Sequence, residues 1–275
     1  MQVEKFFSGK NVIITGGATG IGKALAVQLT EIGANLLLIG RRESLLKEIQ
    51  GELVGRRLLP NQQISVLACD ISDRPLLEKC LSERLKAFNV DVLINNAGIP
   101  CADYFTNVSA DEFERVININ FIGSVTTTRI VLPHLLKKRC GQIAFVSSLA
   151  GKVGIVGYTA YAASKFAQAG FAEALRNELV SQGITVSILF PPDVQTPLLD
   201  SEDRTKPSET RALNTGKALS AEMVSRVFLK QIARGTFEVV PGIHAKCLAF
   251  LLRHFPRLVI WFNDWTVGRV RRFSS

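Results

Sequence analysis

Short, fully apolar runs recur along this chain, each followed by a helical pattern. Asn11–Thr15 precedes Ile21–Ile32, Asn35–Ile39 precedes Glu43–Val54, and Ile64–Ala68 precedes a helix over about Arg74–Phe88. Asp91–Asn95 is followed by Phe113–Lys138, one long helix or two in sequence, and Gln142–Ser147 by a long helix over Tyr158–Gln182. Thr185–Phe190 is a sixth strand and Thr236–Val240 a candidate seventh. Strands that are apolar at every position need helices on both faces of their sheet, and strict β-α alternation predicts a doubly wound parallel sheet. A chain of 275 residues, 47% hydrophobic and 21% charged, can bury such a core and is neither disordered nor collagen-like. Asp193–Lys217 breaks the pattern: it is polar, carries Pro197 and Pro207, and is too long for an ordinary connection. A segment of that kind reads as a binding loop or lid, or as a flexible surface loop.

The first strand runs into TGGATGIG, with Gly16, Gly20 and Gly22 at G-x-x-x-G-x-G spacing. Glycine permits a tight turn and close approach of backbone to a pyrophosphate, and the following helix offers unpaired N–H groups. Gly16, Ala18, Thr19, Gly20, Ile21 and Gly22 are therefore candidate dinucleotide-binding residues of a Rossmann-type α/β domain. The second strand ends at Arg41-Arg42 with no acid. Arginine suits a ribose 2′-phosphate, which favours NADPH; the alternative is two solvated arginines opening a helix. Asp70, with Ile71 beside it, follows the third strand and is placed to meet an adenine edge, to cap a helix, or both. Asn96, Ala97 and Gly98 follow the fourth strand, where small residues let the chain pass close to a cofactor.

Ser148, Tyr161 and Lys165 form the third constellation. Tyr161 and Lys165 are four apart and share a helix face; Ser148 lies thirteen residues before Tyr161. A cation beside a phenol is expected to lower the phenol pKa from about 10 toward working pH, making a proton donor for a ketone oxygen. Alone, the triplet also fits a surface tyrosine and a solvated lysine.

TGGATGIG (15–22), NNAG (95–98), NFIG (120–123), Ser148 and YAASK (161–165) together resemble the short-chain dehydrogenase/reductase family, in its order and spacing, over residues 10–240. The resemblance implies Tyr161 as general acid, Lys165 on the nicotinamide ribose, Ser148 polarising the substrate carbonyl, and Asn120 holding a water in a relay toward Lys165. Ser148 is preferred to Ser147 by its spacing, and Asn120 to Asn118 by N-x-x-G. Pro191, Val194 and Thr196 fall where family members meet the nicotinamide, although Pro-Pro stands where the family has Pro-Gly. FPPDVQTP (190–197) and DRTKPSETR (203–211) look like the branch that reduces 3-ketodihydrosphingosine with NADPH. Leu45 departs from that branch, whose eukaryotic members carry a lysine there; Arg42 or Lys47 is the candidate substitute. The resemblance also implies a homodimer or homotetramer through the helices bearing Asn120 and Tyr161. Another lipid-like carbonyl (a 3-oxoacyl thioester, a steroid, a retinoid) is the competing substrate. A catalytically silent scaffold is disfavoured by the presence of Asn120, Ser148, Tyr161 and Lys165.

Net charge is +9, and residues 239–275 concentrate it, with Lys246, Arg253, Arg257, Arg269, Arg271 and Arg272 against Asp264. These cations are interleaved with Leu, Phe, Ile and Trp, which favours an anionic membrane surface over nucleic acid. Cys247–Leu252 and Leu258–Phe262 are each too short to span a bilayer, so residues 243–275 read as two interfacial helices meeting at Pro256, appended to a domain over 1–242. The alternative is that they pack on the core or on a second subunit. MQVEKFFSGK lacks an apolar run, so neither secretory signal nor amino-terminal anchor is expected. Five scattered cysteines and three scattered histidines imply no metal site. The expected location is cytoplasmic, peripheral on a membrane: the inner membrane of a bacterium or the endoplasmic reticulum of a eukaryote.

Overall fold

The computed structural model describes residues 2–213 and 216–274. A short helix α1 (Gln2–Phe7) leads into β1 (Asn11–Thr15), α2 (Gly20–Glu31), β2 (Asn35–Gly40), α3 (Glu43–Gly55), β3 (Ile64–Ala68), α4 (Arg74–Leu85) and β4 (Val92–Asn95). Then come α5 (Ala110–Ile117), a π-helical turn (Asn118–Ile122), α6 (Gly123–Lys138), β5 (Gly141–Val146), α7 (Thr159–Leu179) and β6 (Ile184–Leu189). The remaining elements are β7 (Val194–Gln195), α8 (Pro197–Glu202), α9 (Ser208–Leu213), β8 (Leu219–Ser220), α10 (Ala221–Ile232), β9 (Glu238–Val239), α11 (Ile243–His254) and α12 (Pro256–Ser274).

Seven strands form one parallel sheet in the order β3-β2-β1-β4-β5-β6-β9. This is the doubly wound α/β sheet expected from the apolar runs. Successive strand residues point to opposite faces. Val12, Ile14, Leu36 and Leu38 join one core with α2, α3 and α10. Ile13, Leu37, Ile39, Ile143 and Phe145 join the other with α4, α6 and α7. Because β1 lies between β2 and β4, strand order reverses there, and a crevice opens beyond the carboxyl ends of β1 and β4.

The two readings of residues 113–138 resolve into a continuous helical run with a single π turn, which carries Asn120. Such a turn inserts one residue into the helical ladder and re-aims side chains. The run 193–217 holds β7, α8 and α9 rather than a free loop; two of its residues, Asn214 and Thr215, lie outside the described residues. Helix α10 was not read from the sequence. Its apolar residues Val224, Phe228 and Ile232 recur at helical spacing, and the Ser220 hydroxyl caps it by accepting from Met223 N at 3.2 Å.

Phe145, fully buried in β5, meets Phe171 of α7 edge to face with centroids 5.8 Å apart. This contact presses the helix bearing Tyr161 and Lys165 onto the sheet. Phe145→Ala should lower the unfolding free energy by about 3–5 kcal/mol in a denaturant titration. A loss below ~1 kcal/mol would show that α7 is held by other contacts.

Candidate active site

The first β-α turn forms one wall of the crevice. Gly16 and Gly20 have φ of 67° and 53°, the left-handed region that glycine favours. A Cβ on Gly16 would lie 2.9 Å from Ala97 Cα, and one on Gly22 2.1 Å from the Gly16 carbonyl oxygen. The opposite lip is tied to this turn through Asn96, whose Nδ2 donates to the carbonyls of Thr15 and Gly16, both at 3.0 Å. Thr15 Oγ1 accepts from Asn96 N and Ala97 N at 3.0 and 3.1 Å. Thr19 at the start of α2 makes no side-chain cap, so the helix keeps its first N–H groups and dipole end for an anion. The cradle therefore fits the pyrophosphate of a dinucleotide.

Gly16, Thr19, Gly20 and Ile21 line one cavity together with Asn96, Ala97 and Gly98. Pro191, Val194 and Thr196 line the same cavity, Thr196 directly beside Gly20. Ala18 and Gly22 shape the turn from behind. Arg41, Arg42, Asp70 and Ile71 lie outside this cavity, past the ends of β2 and β3. Arg41 pairs with Asp70 at 3.7 Å, and both arginines are exposed. Asp70 accepts from Ser72 N and Ser72 Oγ at 2.9 and 2.7 Å. The cap of α4 is Asp73, which accepts from Leu76 N at 3.1 Å, so the capping alternative for Asp70 does not hold. Ile71 is buried against Gly123.

Ser148, Tyr161 and Lys165 line the same cavity. The Ser148 hydroxyl is close enough to the Tyr161 phenol to offset part of the rise in its pKa, and Ser148 Oγ accepts from Ala150 N at 3.1 Å. Ser147 Oγ, which lines the same cavity, donates to the Lys165 carbonyl at 3.2 Å. Lys165 Nζ donates to Val146 O at 2.9 Å and lies 5.6 Å from the Tyr161 ring centroid. Asn118 faces solvent, whereas Asn120 is fully buried. The Asn120 amide is spent as a brace: Nδ2 donates to Ile99 O and Ser164 Oγ, both at 3.0 Å, and Oδ1 accepts from Ile99 N at 2.8 Å.

Depth reverses the expected tuning of the tyrosine. Burial pushes the Tyr161 pKa above its ordinary value, and the Glu202 carboxylate adds to the rise. Burial likewise lowers Lys165 to about 8. Both charged forms are penalised by desolvation, so Tyr161 holds its proton firmly in the protein alone.

The third wall is the 190–213 segment. Pro191 O accepts from Leu149 N at 3.0 Å, so the Pro-Pro turn is bonded to the serine loop. Thr210 Oγ1 donates to Val156 O at 2.6 Å. Lys206, 6% exposed, sits 3.8, 3.7 and 3.1 Å from carboxylate oxygens of Asp193, Glu202 and Asp203. Glu202, 5% exposed, accepts from Tyr158 Oη at 2.8 Å. Leu198, Leu199 and Leu213 of this segment and Leu248 of α11 give the cavity an apolar side. Tyr158, Asp193, Glu202, Lys206 and Leu248 were not singled out as site residues from the sequence. DRTKPSETR marked the segment, but only tertiary packing turns its charges inward.

A family profile described as short chain dehydrogenase matches residues 10–207. The chain belongs to this family. It is therefore an oxidoreductase on a fold that binds a nicotinamide dinucleotide. Bovine 3-ketodihydrosphingosine reductase is 35% identical over 246 residues, 88% of this chain and 74% of the relative. The Dictyostelium discoideum protein of the same name is 32% identical over 88% of this chain and 78% of its own. Mouse dehydrogenase/reductase SDR family member 7 is also 32% identical, over 92% of this chain and 76% of its own. Among solved structures, a short chain dehydrogenase/reductase of Burkholderia phymatum in complex with NAD superposes with a TM-score of 0.80 at 24% identity, covering 92% of this chain and 96% of that one. A 3-oxoacyl-[acyl-carrier protein] reductase of Brucella melitensis superposes with a TM-score of 0.75 at 26% identity, covering 88% and 94%.

Burial raises Glu202 from an ordinary 4.5 to about 7. The folded protein then binds this proton more tightly than the unfolded chain, so the associated stability is full below 4.5 and lost as pH rises through about 7. The melting temperature of the wild type should therefore fall relative to Glu202→Gln as pH is raised across that window. A constant difference would mean that Glu202 ionises normally.

Proposed function

We propose that this protein reduces the 3-keto group of 3-ketodihydrosphingosine to dihydrosphingosine with NADPH. The observation that carries the reading is the 190–213 segment. Its Pro-Pro turn lines the cavity that holds Tyr161, and its RTKP run supports that wall from behind, with Lys206 at 3.7 Å from the cavity-lining Glu202. That wall offers leucines to an alkyl chain. The relatives bearing the reductase name point to the same substrate class.

NADPH, when bound, supplies the hydride; the protein supplies position and a proton. Ser148 and Tyr161 hold the ketone oxygen, and the Tyr161 hydroxyl gives its proton to that oxygen. Burial keeps the phenol protonated, so the proton is in place when the ketone arrives. Lys165 bonds the nicotinamide ribose and offers a cation beside the phenolate left after transfer. Asn120 braces Ile99 and, through Ser164, the helix of Tyr161; its role in a water relay belongs to the same proposal. Arg41 and Arg42 receive the 2′-phosphate, which is the basis for choosing NADPH over NADH.

Wild type should oxidise NADPH faster than NADH with 3-ketodihydrosphingosine, and Tyr161→Phe should lose turnover by at least about a hundredfold while still binding NADPH. A kcat/KM for an acetoacetyl thioester equal to that for 3-ketodihydrosphingosine would remove the substrate assignment. Turnover retained in Tyr161→Phe would remove the proton donor.

The extension supports contact with a membrane surface. Phe255 φ of −134° breaks the helix before Pro256, as the sequence implied. Arg271 Nε donates to buried Glu209 at 2.9 Å, which ties α12 to α9, and Leu248 reaches the cavity. Phe250, Leu258, Ile260, Trp261 and Phe262 remain more than half exposed on the same two helices. Among the described residues, no helix is long and apolar enough to cross a membrane. These features fit a peripheral position on a cytoplasm-facing membrane, with the cavity mouth near the lipid. Ile122 and Phe166, exposed on the helices of Asn120 and Tyr161, support a homo-oligomer through that face. The protein should float with anionic liposomes, and Trp261→Ser with Phe262→Ser should reduce the floated fraction several-fold. Equal flotation of wild type and double variant would contradict membrane contact through α12.

A further inference from the structure

The cavity contains an ionic group that the reductase chemistry does not use. Glu202 lines it on the same side as Tyr158 and Tyr161. Its carboxylate is fixed by the Tyr158 hydroxyl at 2.8 Å, and the Tyr158 and Tyr161 rings are 5.6 Å apart. Asp193 also lines the cavity. Glu202, Asp193 and Asp203 share one buried ammonium, that of Lys206, and its shortest contact, 3.1 Å, goes to Asp203. Glu202 therefore presents a buried acid, 3.7 Å from the Lys206 ammonium, beside the leucines of the cavity wall. Its field reaches the proton donor and the active-site lysine: the Glu202 charge acts on both Tyr161 and Lys165. A buried carboxylate short of positive charge is costly unless a ligand supplies the missing cation.

We propose that Glu202 is the specificity residue for this reaction, receiving the protonated amine that the substrate carries on the carbon next to its ketone. The inference rests on the reading of the substrate as an amino ketone. With the ketone oxygen at Tyr161 and Ser148, the amine nitrogen lies two bonds from the carbonyl carbon, inside the cavity that Tyr158 and Glu202 also line. Tyr158 holds the carboxylate in place, and Lys206 keeps α8 folded without saturating the acidic group. Ketones without an amine leave Glu202 uncompensated beside Tyr161. Neutral thioesters and steroids then lack the one contact that an amino ketone gains at Glu202, so the preference rests on charge rather than on shape.

The test compares 3-ketodihydrosphingosine with the hydroxy ketone of the same chain length that lacks the amine, using full-length protein and NADPH. Wild type should prefer the amino ketone by about tenfold or more in kcat/KM, as for a hydrogen bond to a charged group. In Glu202→Gln that ratio should collapse toward one, mostly through KM for the amino ketone, and Glu202→Asp should recover part of it. Melting temperature and NADPH affinity, measured on each variant, separate loss of recognition from loss of structure. Equal loss on both ketones in a folded variant overturns the proposal and leaves Glu202 a structural brace. If Glu202→Gln does not fold, the wild-type ratio decides, and a value near one overturns the proposal. Failure of wild type to reduce either ketone overturns the reductase reading and the inference with it; turnover of the hydroxy ketone alone overturns the amine site and the amino-ketone assignment.

Discussion

Burial of Lys165 is the constraint on which the site depends. An ammonium with 4% exposure must be held by fixed acceptors, and the Val146 carbonyl at the end of β5 provides one at 2.9 Å. That bond fixes the roll of α7 against the sheet, and the roll puts Tyr161 beside Ser148 and Tyr158 toward the insertion. The π turn supplies a second constraint. It brings Asn120 under the crevice, where its amide locks Ile99 and Ser164, and Gly98 can pass because a Cβ there would approach the Asn120 oxygen to 3.2 Å. Chemistry and packing are therefore one arrangement: the groups that position the proton donor also close the core beneath it.

Electrostatics divides the cavity into two ends. At the glycine-turn end, the backbone N–H groups that open α2 favour anions, and Arg41 and Arg42 are exposed outside the cavity, past the end of β2. At the other end, Glu202 and Asp193 favour a cation, with leucines around them. The proposed substrate, with an amine, a ketone and an alkyl chain in that order, matches this arrangement. The same acids keep the Tyr161 proton in place, so substrate charge and donor strength are coupled through one carboxylate.

Much of this was legible in the sequence. The strands were found because a sheet covered on both faces demands apolar residues at every position, and Val12, Leu37 and Ile143 obey that rule regardless of what packs on them. The glycine turn and the Ser148–Tyr161–Lys165 spacing were legible because each reflects a local geometry. The direction of the Tyr161 pKa was not, since spacing reports that Lys165 shares a face and says nothing of depth; burial outweighs the cation. Glu202 and Lys206 were hidden for a related reason. Charged residues in a polar segment read as solvated, and only the docking of α8 and α9 over Gly157 and Tyr158 makes them interior. Helix α10 was missed although its spacing and its Ser220 cap are ordinary signals. The amphipathic pattern of residues 243–275 fits both an interfacial extension and helices packed on the core, and the contacts of Leu248 and Arg271 are tertiary, so spacing alone does not reveal them.

The most direct measurement is a crystal structure of the protein with NADP and dihydrosphingosine, the product pair. The account predicts the 3-hydroxyl within about 3 Å of Tyr161 Oη and Ser148 Oγ, the ammonium at a similar distance from the Glu202 carboxylate, and the alkyl chain along Leu199, Leu213 and Leu248 toward α11. An amine turned to solvent with the chain lying elsewhere would contradict it.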